Sequence, residues 1–71
     1  MNYVLMNKMA VEILSDASEK CIELKSAAID MHKDGKFIST VYVIERTTSI
    51  IHEIEKLLLL GVLAEDEERN S

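Results

Sequence analysis

The sequence contains no proline and only two glycines in 71 residues, Gly35 and Gly61. Because these two residue types interrupt helices most strongly, their scarcity favours long helices. A single cysteine, Cys21, cannot form an internal disulfide, which predicts a reducing, cytoplasmic compartment. We expect no secretory signal, since the N-terminal residues lack a small-residue cleavage site. We also expect no membrane span, because the longest apolar run, residues 57–64, is far below the ~20 residues required.

Positive charge is also scarce. The chain has 8 Lys and Arg residues against 13 Asp and Glu residues, a net charge of −5. This balance argues against binding to nucleic acid or to an anionic membrane surface, both of which attract clustered Lys and Arg.

Apolar residues, by contrast, are abundant at 48% of the chain. A chain this short buries only roughly 60% of the surface that its unfolded form exposes. Two helices share one contact face, so we expect a protein partner, or a second copy in a homodimer, to cover the remaining apolar surface. A compact monomer of three elements is the alternative.

Residues 3–33 have the periodicity of one amphipathic helix. Its apolar stripe, at alternating three- and four-residue steps, consists of Tyr3, Met6, Ala10, Ile13, Ala17, Leu24, Ala27 and Met31. Lys20 is the one break in the stripe. Asp16 followed by Glu19 fits a capping box, so the helix could break near Ser15. We favour one continuous helix because the stripe keeps its phase there.

A turn at residues 34–36 is predicted by Asp34-Gly35, since glycine commonly terminates helices. So short a turn folds the second helix, residues 37–63, back antiparallel to the first. The stripe predicted to face the first helix is Phe37, Val41, Ile44, Thr48, Ile51, Ile54 or Glu55, and Leu58. Residues 37–44 are also rich in β-branched side chains, so a strand there stays open.

These elements define a single all-α domain, residues 1–64, folded as an antiparallel two-helix hairpin. Residues 65–71 contain only charged and polar residues and are expected to form a disordered acidic tail.

No residue pattern indicates catalysis, a cofactor or a metal. His32 and His52 have no second ligand at zinc-like spacing. Helical spacing places no base beside Cys21, as a nucleophilic cysteine requires. The carboxylates are dispersed along polar faces, and a hairpin of two helices offers no cleft in which two of them could act as acid and base. We therefore expect no enzymatic activity.

Leucines 57–60 point around the helix in all directions, so one neighbouring helix cannot cover them all. An apolar patch left exposed typically marks an interaction site. The alternative is that the N-terminal residues 3–6 fold over them. The predicted partner-binding residues are Ile51, Ile54, Leu57, Leu58, Leu59 and Leu60.

Residues 44–54 have the pattern I-E-x-x-x-x-I-I-x-x-I, after an Asp-Gly turn and an aromatic residue. This pattern resembles the second helix of the small needle-subunit co-chaperones of bacterial type III secretion. The resemblance implies a helical hairpin without activity of its own, which pairs with a tetratricopeptide-like chaperone. Together they would keep a needle subunit soluble and unpolymerised in the bacterial cytoplasm before export.

Two other functions are compatible with the sequence. One is a homodimeric helical bundle acting as an accessory protein of phage or plasmid type. The other is a regulator, such as an antitoxin or an enzyme inhibitor, whose acidity mimics nucleic acid.

Overall fold

The computed structural model describes residues 3–70 and shows an all-α antiparallel hairpin. Helix α1 spans Tyr3–Lys33 and runs through Ser15 without a break, and helix α2 spans Thr40–Asn70. The molecule measures 57 × 18 × 11 Å. Its smallest dimension is about the diameter of a single helix. The hairpin is therefore one layer thick, with both of its broad sides open.

The end of α1 is fixed by hydrogen bonds of the Schellman type. The Lys36 N–H donates to the Met31 carbonyl at 2.9 Å, and the Gly35 N–H donates to the His32 carbonyl at 3.1 Å. Between them the backbone turns at Gly35, which has a φ of 67°. Only glycine adopts this left-handed conformation without strain, which explains why α1 stops here.

The start of α2 is fixed by Ser39. Its Oγ accepts a hydrogen bond of 3.4 Å from the Tyr42 N–H, and its carbonyl accepts one of 3.0 Å from the Val43 N–H. This is the geometry of a helix N-cap. The helix consequently begins at Thr40, three residues later than predicted, and no residue of the range 3–70 lies in a strand.

The acidic end of the chain is helical as far as Asn70, although a disordered tail was the expectation for residues 65–71. The helix continues because α1 begins at the same end of the hairpin, where Tyr3 and Glu68 border one groove with Ala64. The last residue, Ser71, lies outside the described range.

The predicted stripe of α1 is the face that contacts α2. Met6 and Ala17 are 7% and 6% exposed, and they are the only buried apolar residues between positions 3 and 70. Tyr3, at the open end, is exposed. The half-buried members of the stripe are Ala10, Ile13, Leu24, Ala27 and Met31, joined by Lys20.

The stripe predicted for α2 was wrong. Ile51 and Leu58 are 55% and 65% exposed and lie on the side of α2 away from α1, as do Val41 and Ile44. The face that contacts α1 contains instead Tyr42, Val43, Arg46, Ile50, Glu53, Leu57, Leu60 and Ala64. Its centre is Glu53, which has a partner on α1.

Candidate protein-binding surface

Glu53 is the only buried charged residue in the described part of the chain, at 7% exposed. Its Oε1 accepts hydrogen bonds from Lys20 Nζ of α1 at 3.3 Å and from Lys56 Nζ of α2 at 3.1 Å. The hydrogen bond from Lys56 lowers the pKa of this carboxyl, aided by Lys20 and opposed by desolvation. Lys20, the one charged residue in the apolar stripe of α1, therefore pairs with the acid in the contact face of α2.

One side of the hairpin, here called the charged side, collects the polar groups. A groove on this side is lined by Asp16, Glu19, Lys20, Glu23 and Arg46. In it, Arg46 Nη1 contacts Glu23 Oε2 at 2.7 Å. The guanidinium also lies 5.1 Å from the centre of the Tyr42 ring, a cation–π distance. Nearer the open end, Glu12 and Lys56 border a second groove on this side, together with Met9 and Leu59.

At about 100° per residue, the charged residues of α1 other than Lys25 occupy one half of the helix circumference, toward the charged side. They are Lys8, Glu12, Asp16, Glu19, Lys20, Glu23, Asp30 and Lys33, whereas Lys25 lies in the seven-residue row of Val4 and Val11. In α2 up to Ala64, the same arithmetic places every charged residue except Glu55 on the charged side or the contact face. Glu55 lies on the face away from α1, in the row of Val41 and Val62. The opposite side is therefore free of charge over residues 3–24 and 40–64, and Lys25 borders it.

This opposite face is called the uncharged side, and rows of residues spaced seven apart define it. Seven residues make almost two helical turns, so each row follows one line along its helix. The row of α1 is Asn7, Leu14, Cys21 and Ala28, and the row of α2 is Thr47, Ile54 and Gly61. All but Thr47 are exposed, and Thr47 is half-buried. The two rows lie on the same side because Asn7 and Gly61 line one groove.

The open end of the uncharged side has an apolar groove. It is lined by Tyr3, Met6, Asn7, Ala10, Leu57, Leu60, Gly61, Ala64 and Glu68. Partial burial raises the pKa of the Tyr3 hydroxyl, with a further contribution from the negative charges of Glu68 and Glu67. Tyr3 is therefore neutral at physiological pH, and the groove is closed at its end by an acidic rim.

An apolar stripe on α2 borders the uncharged side and faces away from α1. This outer stripe of α2 consists of Val41, Ile44, Ile51, Leu58 and Val62, all more than half exposed. It has the spacing predicted for the contact with α1 but lies on the other side of the helix. Helix α1 has a counterpart in Val4, Val11, Ile22 and Ile29. Each helix thus carries apolar residues on two opposite faces.

The six predicted partner-binding residues do not share one direction. Ile51 and Leu58 belong to the outer stripe of α2, and Ile54 lies on the uncharged side. Leu57 and Leu60 are half-buried against α1 and line the open-end groove, whereas Leu59 lies on the charged side. Three of the six, Ile51, Ile54 and Leu58, form a continuous exposed patch on α2.

None of the predicted partner-binding residues lies on α1, although the structure adds Leu14, Cys21 and Ala28 to this surface. The available signal is their repeat every seven positions on the side of α1 where Lys25 is the one charge, but that repeat does not show which residues of α2 lie beside them. A surface with only apolar and small uncharged groups can bind an apolar helix, since no charge has to be desolvated.

The residues considered for chemistry are scattered. His32 and His52 are both exposed, and His52 Nδ1 lies 3.5 Å from Glu55 Oε2. Cys21 is exposed as well. Over residues 3–70, no three His, Cys, Asp or Glu side chains are placed to hold a metal ion. Neither α1 nor the described part of α2 has a stretch long and apolar enough to cross a membrane.

A comparison of the chain with models of protein families, with curated proteins and with solved structures finds no match in any of the three. The surface is therefore characterised by its own geometry and charge.

Proposed function

We propose that this chain is a non-enzymatic adaptor that binds a helical segment of a partner protein on its uncharged side and the outer stripe of α2. The observation that carries the proposal is that the hairpin exposes far more apolar surface than it buries. Only Met6 and Ala17 are buried among the apolar residues of the described chain, while both helices expose large aliphatic side chains along their whole length.

The energetics favour a partner of considerable contact length. Full burial of one Leu or Ile side chain contributes ~1.5–3 kcal/mol. Covering Ile51, Ile54 and Leu58 alone would therefore contribute several kcal/mol before the entropy of association is subtracted. An amphipathic helix fits this surface best, because its apolar residues at three- and four-residue steps would follow the rows of the uncharged side.

The resemblance of residues 44–54 to needle-subunit co-chaperones supports a more specific role. In that role the chain pairs with a tetratricopeptide-like chaperone in the bacterial cytoplasm, and the pair holds a needle subunit unpolymerised before export. A filament subunit polymerises through apolar helical surface, so covering that surface prevents premature assembly. An acidic hairpin with an open uncharged side is suited to such covering.

The proposal is tested by co-purification of the chain with candidate chaperone and needle subunits. Leu58→Asp and Ile54→Asp should each abolish complex formation, because they place a charge in a desolvated contact. Leu59→Asp is the matched control, since it introduces the same charge at an exposed leucine of α2 on the charged side and should leave binding intact. Binding that survives both substitutions would contradict the proposed surface.

A further inference from the structure

The two ends of the hairpin carry opposite charge. At the open end, residues 65–69 include four acids and one base, namely Glu65, Asp66, Glu67, Glu68 and Arg69. At the turn end, Lys33 and Lys36 with His32 lie beside Asp34, and Asp30 lies one turn earlier on α1. Because the molecule is 57 Å long, these ends are separated by several Debye lengths at physiological salt and act as distinct patches.

The uncharged side extends between these two patches. We propose that a second copy of the chain packs on it end over end, so that the two hairpins form a four-helix bundle. Around a two-fold axis, the acidic open end of each copy then lies beside the basic turn end of the other. A parallel pair would instead bring the two acidic ends together, where like charges repel.

The arrangement of the remaining groups fits this dimer. The two charged sides face outward, so the Lys20–Glu53–Lys56 cluster and the Arg46–Glu23 pair stay hydrated at their edges. Small residues in the rows, such as Ala28 and Gly61, allow the helices of the two copies to approach closely. A two-fold contact is self-complementary, so one apolar surface covers its own copy.

Self-association of this kind does not depend on the identity of any partner and is measurable on the chain alone. It therefore goes beyond the adaptor role. A partner helix that binds the uncharged side has to displace the second copy. The free chain would therefore be a dimer, and each chain bound to a partner would have separated from its copy.

The orientation can be measured with spin labels on the full chain. Cys21 lies on the uncharged side next to Lys20, close to the middle of the hairpin, and is the only cysteine. A label there should give a short distance between copies. A label at Asp34→Cys in a Cys21→Ser background should give a distance close to the 57 Å length of the molecule. Short distances at both positions mean a parallel dimer and overturn the proposal.

The charge pairing is tested separately by reversal. Lys33→Glu with Lys36→Glu should weaken the dimer by about tenfold or more at low salt, as measured by analytical ultracentrifugation. Glu65→Lys with Glu68→Lys should weaken it similarly, and the combination of all four substitutions should restore the dimer. The control Glu19→Lys reverses a charge on the charged side, near the middle of the hairpin, and should have little effect.

Three further results overturn the proposal. One is a wild-type chain that sediments as a monomer at every concentration, and another is a dimer whose affinity the reversals leave unchanged. The third is a quadruple variant that folds, by its helical circular dichroism, but does not recover the dimer. Restoration by the quadruple variant excludes misfolding as the cause of the losses.

Discussion

The two glycines of the chain occupy unlike backbone conformations. Gly35 has a φ of 67°, whereas Gly61 lies within α2, and a Cβ added at either position meets no atom within 4 Å. Gly35→Ala should therefore destabilise the fold by ~1–2 kcal/mol through backbone strain alone. Gly61→Ala should stabilise it by ~0.5–1 kcal/mol through helix propensity. Denaturant unfolding of both variants at one chain concentration measures these changes in the free energy of unfolding. Equal changes in the two variants would contradict the prediction.

Protonation of Glu53 should weaken the hairpin. Its pKa is lowered in the folded state by the hydrogen bond from Lys56 and by Lys20, so its stabilisation is complete above the ordinary value near 4.5. That stabilisation is lost as pH falls through the lower, folded value. Glu12 and Asp16 border the neighbouring groove and add negative charge nearby.

Glu53→Gln should accordingly be less stable than the wild type at pH 7, with the difference shrinking below about pH 4.5. The free energy of unfolding as a function of pH measures this difference. The control Glu45→Gln removes an exposed carboxyl of the same helix and should change stability little. A Glu53→Gln difference that is constant with pH would show that the lysines do not stabilise the carboxylate.

The N-cap of α2 is the element-scale feature with the clearest stability effect. Ser39→Ala removes the oxygen that accepts the Tyr42 N–H, and we expect a loss of ~1 kcal/mol. Ser26→Ala, at an exposed position within α1, is the control and should be neutral or slightly stabilising because alanine is the better helix former. Thermal unfolding monitored by circular dichroism distinguishes the two. Equal melting temperatures would mean that Ser39 does not cap the helix.

The helices differ in how well their packing could be predicted from sequence. Helix α1 has one set of apolar residues long enough to be its contact face, and the structure buries that set. Helix α2 has two interleaved sets, one around Ile51 and Leu58 and one around Ile50 and Leu57. The second set contains Glu53, so hydrophobicity alone favours the first.

The structure buries the second set because Lys20 meets Glu53 across the interface. In the sequence, Lys20 and Glu53 are each a charged residue within an otherwise apolar stripe. Only the antiparallel alignment of the two helices shows that the two charges form a pair. We infer that this pair specifies the phase of α2, because a buried polar pair can fix the register of packed helices. Leu14 and Cys21 escaped prediction for the same reason, because the side of the hairpin that they share exists only after α2 is rotated correctly.

At the scale of the whole molecule, a layer one helix thick cannot shield its apolar surface by itself. Only folded chains can form the dimer. The melting temperature should therefore rise as the chain concentration increases. Added sodium chloride should lower the melting temperature at a fixed concentration, because it screens the attraction between the acidic and basic ends.

Leu14→Asp should abolish both dependences, because it places a charge on the uncharged side, whereas Leu59→Asp should preserve them. Circular dichroism melts over a hundredfold range of concentration would measure this. A melting temperature that is high and independent of concentration in the wild type would mean that the single layer is stable alone. In that case neither a second copy nor a partner helix would be needed to complete the fold.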